Sequence, residues 1–83
     1  MAAEFETVVD ALSKVVEPYV GATMARSAVK AHGQKMGLDG APLTPAQIET
    51  LIARLGSGLN VFLGRDKSEM VVGELKKAAA GLR

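Results

Sequence analysis

The sequence predicts an all-α fold, a small antiparallel bundle of about four helices, and three observations carry that prediction. Apolar residues recur every three or four positions in four separate segments, the signature of amphipathic helices. Start and stop signals punctuate those segments, with Thr44-Pro45 at one start and Gly37 and Gly64 at two ends. No segment reads as a strand.

The first helix carries Phe5, Val8, Val9, Leu12, Val15, Val16 and Tyr19 on one stripe. Pro18 lacks an N–H and disfavours helical geometry at Glu17, so a boundary or kink is expected there, followed by Gly21. The second helix, from Val20 or Gly21 to Met36, has a face of small residues, Gly21, Ala25, Ala28 and His32, with Met24, Val29 and Met36 beside it. Small side chains let another backbone come close, so this helix is expected to be the central, most enclosed one. Gly37 suits its C-terminal stop, because glycine enters the left-handed region without a steric penalty.

The third start is the most fully specified. In "LTPAQI" Thr44 suits the N-cap, Pro45 the first helical position, and Gln47 the reciprocal partner of a capping box. Leu43 and Ile48 stand at the two positions of a hydrophobic staple. The fourth segment repeats the device, with Asp66 as cap and Glu69 returning the bond. Met70, Val71, Leu75, Ala78 and Leu82 then form its stripe, and Lys76, Lys77 and Arg83 suit the negative end of its dipole.

"RLGSGLNVFLGRDKSE", residues 54–69, poses the one question of chemistry that the pattern raises. Apolar residues at 48, 51, 52, 55, 59, 62 and 63 keep helical phase straight through Gly56 and Gly58. A phosphate loop breaks that phase, follows a strand and needs G-x-x-x-x-G-K-[ST] spacing, whereas Gly64 is followed here by Arg65 and Asp66. The dinucleotide spacing G-x-G-x-x-G fails at Val61. The segment therefore reads as helix, ending at Gly64. Each internal glycine costs roughly 1 kcal/mol relative to alanine, and close approach of another helix, a second subunit or a hinge would account for it.

Composition narrows the classes of function. The 83 residues are read as one helical domain, 1–83, near the lower size at which a single core suffices. There is no cysteine, which removes disulfides and thiolate metal sites and fits a cytoplasmic protein. No stretch approaches the roughly 20 apolar residues needed to span a bilayer. Ten Lys/Arg against nine Asp/Glu give a net charge of +1, too little for general attraction to nucleic acid. The charges are unevenly placed: Glu4, Glu6, Asp10 and Glu17 precede Arg26, Lys30 and Lys35. Antiparallel packing of the first two helices would make those two sets complementary. Hydrophobic content of 48% is high for so small a chain, which points to apolar surface buried against a partner or exposed.

Three motifs invite comparison with known chemistry. "KAHGQKMG" resembles the histidine-phosphotransfer motif, in which a histidine on a helical bundle is followed by lysine three residues later; His32 and Lys35 match that spacing. Met36 stands where that family usually has glycine. The acyl-carrier family has its attachment serine directly after aspartate, and "DKSE" departs from that order. A helix-turn-helix reading finds a short turn, "GRD", but a fourth helix poor in base-reading side chains. His32 is the sole histidine and has no ligand-bearing neighbour at helical spacing, so no metal site is expected. No convergent set of catalytic groups can be assembled, and no cofactor is implied.

The expected function is a non-enzymatic protein–protein interaction module, bound to a protein partner or to itself as a homo-oligomer, with neither nucleic acid nor membrane. The expected surface comprises Gly56, Gly58, Leu59 and Phe62 of the third helix with Val71, Val72 and Leu75 of the fourth. The alternative is signalling phosphotransfer through His32 and Lys35.

Overall fold

The computed structural model describes residues 3–82 and forms four helices, α1 (Phe5–Val20), α2 (Ala22–Lys35), α3 (Pro45–Leu63) and α4 (Arg65–Ala80). The all-α bundle is as the periodicity predicts. Helix α1 runs antiparallel to α2 and α3 to α4, while α1 also packs on α4 and α2 on α3. Leu12, Leu43, Leu51, Ile52 and Leu75 are fully buried where these elements meet.

Two single glycines turn the chain at one end of the bundle. Gly21 (φ 90°) joins α1 to α2, and Gly64 (φ 80°) joins α3 to α4. Each glycine N–H closes the helix before it, onto Glu17 O at 2.8 Å and Asn60 O at 3.1 Å. Each glycine carbonyl opens the helix after it, accepting from Ala25 N at 2.9 Å and Ser68 N at 3.1 Å. One residue thus ends one helix and starts the next, which requires the positive φ that glycine adopts freely.

This corner corrects two expectations. Helix α1 continues through Pro18 to Val20 rather than breaking at Glu17. Pro18 and Lys14 are exposed, so the carbonyl of residue 14, which loses its i+4 donor, has water available. Helix α4 starts at Arg65 with Gly64 as its N-cap and no side-chain cap. Asp66 therefore lies inside the first turn, where its charge suits the dipole, and Glu69 pairs with Arg65 at 3.5 Å instead of returning a capping bond.

The opposite end is built from local signals as expected. The capping box of α3 is complete: Gln47 N donates to Thr44 Oγ1 at 3.3 Å, and Thr44 N to Gln47 Oε1 at 2.9 Å. Leu43 and Ile48 are both buried, as a hydrophobic staple requires. Gly37 (φ 73°) ends α2 in a Schellman arrangement, with Leu38 N donating to Gly33 O and Gly37 N to Gln34 O, both at 3.0 Å. An isolated antiparallel bridge, Ala3 with Leu43, ties the first described residues to the α2–α3 loop.

The enclosure of the helices differs from expectation. Helix α1 buries Phe5, Val8, Val9, Leu12, Ser13 and Val16, whereas α2 buries only Ala25, Val29 and Gly33. The small residues of α2 bring it close to its neighbours without making it central. A β-carbon on Gly33 would run into the Phe5 ring, so the ring occupies the space that glycine leaves. In α4 the stripe is Ser68, Val71, Leu75 and Ala79, and Met70 is exposed. Phe62, expected on the interaction surface, is 68% exposed.

Candidate functional site

A groove of about 100 Å³ lies between α2 and α3, near the glycine corners, and reaches down to the end of α1. Its floor is aliphatic, from Val16, Val29 and Leu55. Its walls are low because Ala28 and Gly58 place little or no side chain there. Helical spacing explains the alignment: Met24, Ala28 and His32 succeed one another every four residues along α2, as do Leu55, Leu59 and the neighbouring Gly58–Phe62 pair along α3, while Val20 enters from the end of α1. Met24, 49% exposed, and Phe62 stand on opposite walls at the corner end. Val61 and Met70, the other large exposed apolar side chains among the described residues, also lie within two turns of Gly64. Apolar exposure is therefore concentrated at one end of the bundle.

The seven residues expected to form one surface divide into three groups. Leu59, Val71 and Leu75 belong to the core, at 7%, 0% and 0% exposure; Val71 and Leu75 face other helices of the same chain, whereas the edge of Leu59 also lines the groove. Gly56 and Val72 face each other across α3 and α4, where a β-carbon on Gly56 would come within 2.6 Å of Val72 Cγ2. The Ser68 hydroxyl donates to the Gly56 carbonyl at 2.8 Å in the same contact. Gly58 and Phe62 lie on the groove together with Leu59. The two glycines, two residues apart, thus serve different sides of α3: Gly56 meets α4, and Gly58 meets α2.

His32 is half-buried in the groove wall, and its Nε2 would lie 3.5 Å from a β-carbon on Gly58. The imidazole is thus turned toward α3, with Lys35 exposed one turn further along α2. No group of three or more potential metal ligands occurs among the described residues. The sequence pattern missed Val20 and Met24 as groove residues, although the small-residue stripe of α2 was the signal that this helix leaves space beside it.

Charges sort to the two flanks of α2. On the α1 flank, Arg26 bonds both Glu6, at 2.9 Å, and Asp10, and Lys30 lies 3.6 Å from Glu6. The Arg26 guanidinium holds the Asp10 carboxyl below its ordinary range, chiefly through their hydrogen bond, and Asp10 in turn raises Arg26. This is the complementarity expected of the acidic first and basic second segments. On the α3 flank, Lys35 follows His32 by three residues and Arg54 precedes Gly58 by four, which places both exposed cations alongside the groove. Among the described residues neither is paired with a carboxylate. Elsewhere Tyr19 donates to Glu74 at 3.4 Å, and partial burial followed by that carboxylate raises the phenol above its usual range.

A second cavity of about 80 Å³ lies at the opposite end, between Ala3, Ile48, Ile52 and Leu82, with Glu49 and Lys76 at its edge. No helix among the described residues is long and apolar enough to cross a membrane. Comparison with family models, with curated proteins and with solved structures finds no match to the chain.

Proposed function

We propose that this domain is a non-enzymatic interaction module whose α2–α3 groove receives an apolar segment of another polypeptide. The observation that carries this reading is the placement of Met24 and Phe62, half or more exposed, on the two walls of a groove floored by aliphatic side chains. Large apolar side chains held in water beside a ready-made concavity lose that cost when a complementary chain covers them. Helix-in-groove recognition uses this arrangement, in which a partner's apolar side chains insert between two helices. In a face-to-face contact of two copies the same patch stands on both sides, and the groove lining offers no carboxylate to meet Lys35 and Arg54. That lack of charge complementarity favours a different polypeptide over a second copy.

Site-specific photo-crosslinking in the source cells tests the reading. Phe62→p-benzoylphenylalanine is expected to give an adduct with a defined polypeptide, and Gly58→Leu, which fills the groove, is expected to abolish it. An adduct of twice the chain's mass would assign the groove to a second copy. Absence of any adduct at position 62 would overturn the proposal.

A further inference from the structure

We infer that the occupant of the groove is an amphipathic helix whose apolar anchors lie toward one end and whose carboxylates lie toward the other; this deepens the interaction reading above and rests on it. The groove is chemically polarised along its length. At the corner end stand Met24, Val20 and Phe62, and at the other end stands His32; helical spacing sets the exposed Lys35 and Arg54 at the rim of that end. The carboxylates nearest to these cations in sequence are Asp39, in the α2–α3 loop, and Glu49, which edges the second cavity; among the described residues neither pairs with Lys35 or Arg54. Glu6 and Asp10 engage Arg26 and Lys30 on the far flank of α2, and Glu17, seven residues beyond Asp10, shares that side of α1. Asp66 and Glu69 belong to α4.

Length and charge define the ligand. Met24 to Lys35 spans about 16 Å of helix at roughly 1.5 Å per residue, enough for about three turns of a partner helix. Leucine- or phenylalanine-sized side chains fit where Ala28 and Gly58 lower the walls. Aspartate or glutamate about two turns away then meets Lys35 and Arg54. Such exposed ion pairs add little raw affinity, but they set orientation and reject partners of the wrong charge. An apolar helix with a basic flank would meet like charges at the same positions.

Fluorescence anisotropy with two synthetic peptides tests this. Both have about 16 residues and the same Leu/Phe stripe at one end; the other end carries glutamates in one and lysines in its twin. The acidic peptide is expected to bind at least about tenfold more tightly at low ionic strength, with the advantage shrinking as salt screens the pairs. The Lys35→Glu/Arg54→Glu variant, altered only at exposed positions and checked for native helicity by circular dichroism, is expected to reverse the preference. Equal binding of both peptides that is lost in Phe62→Ser would overturn the acidic assignment and leave the groove reading standing. Binding of the acidic peptide that survives charge reversal, or binding of neither peptide, would overturn the inference as well. The crosslinking outcome at position 62 decides the underlying reading separately.

Discussion

Gly56 of α3 faces Val72 of α4 so closely that a β-carbon on Gly56 would stand 2.6 Å from Val72 Cγ2. The glycine is therefore a packing residue. Its helix-propensity cost, roughly 1 kcal/mol, is offset by the close approach of α4 and by the Ser68 hydroxyl reaching the Gly56 carbonyl. Valine is branched at Cβ and stiff in a helix, so Cγ2 has little freedom to swing aside.

Gly56→Ala is accordingly expected to destabilise the fold. Overpacking costs about 1–3 kcal/mol and outweighs the gain of about 1 kcal/mol in propensity. The same substitution at Gly58 has the opposite sign, because the nearest atom, His32 Nε2, lies at an ordinary 3.5 Å. Urea unfolding of the two single variants reads the difference. Equal stabilisation by both would show that α3 and α4 do not approach as described.

Gly64→Ala is expected to cost about 1–3 kcal/mol, since a residue with a β-carbon must adopt φ 80° with ψ 167°, a region that glycine alone enters readily. Nothing lies within 4 Å of the added atom, so the penalty is conformational and not steric. Gly64→Asn should lose about as much as Gly64→Ala, because asparagine's tolerance of positive φ is confined mostly to the helical left-handed region, and ψ 167° lies outside it. Thermal unfolding of the pair checks this, and an alanine variant as stable as the parent would refute the corner.

Asp10 is expected to titrate below the usual aspartate range, and Arg26→Gln is expected to bring it back, because the Arg26 hydrogen bond is the largest cause of the shift. The sign for stability follows. A carboxylate whose folded pKa is depressed contributes above its unfolded pKa, near 3.9, and that contribution disappears as pH falls through the lower folded value. Carbon-13 NMR of the Asp10 carboxyl across acidic pH measures the shift directly. An unshifted Asp10 would remove the α1–α2 ion pairs from the account of pairing between these helices.

Much of the fold was legible because its signals are local. The Thr44–Gln47 box, the Gly37 stop and the end of α3 at Gly64 each depend on atoms within about one turn of the chain. The helical phase through Gly56 and Gly58 was equally plain from the spacing of Leu55, Leu59 and Phe62. The candidate site was legible only in part. Three of its expected residues, Gly58, Leu59 and Phe62, line the groove, while Val71 and Leu75 are wholly core.

What the amino-acid order alone determined is the set of helices, most of their ends and the apolar stripe of each. What the tertiary structure decided is which edge of each stripe is covered. Adjacent positions on α3 point about 100° apart, so a small difference in how α2 and α4 flank it sends Gly56 to Val72, Gly58 to His32 and Phe62 to the surface. Periodicity identifies a face, but the angle at which neighbouring helices meet that face depends on contacts between residues far apart in the chain. The same reason accounts for Gly64, a recognisable end of α3 that also begins α4 only because the two helices fold back on each other.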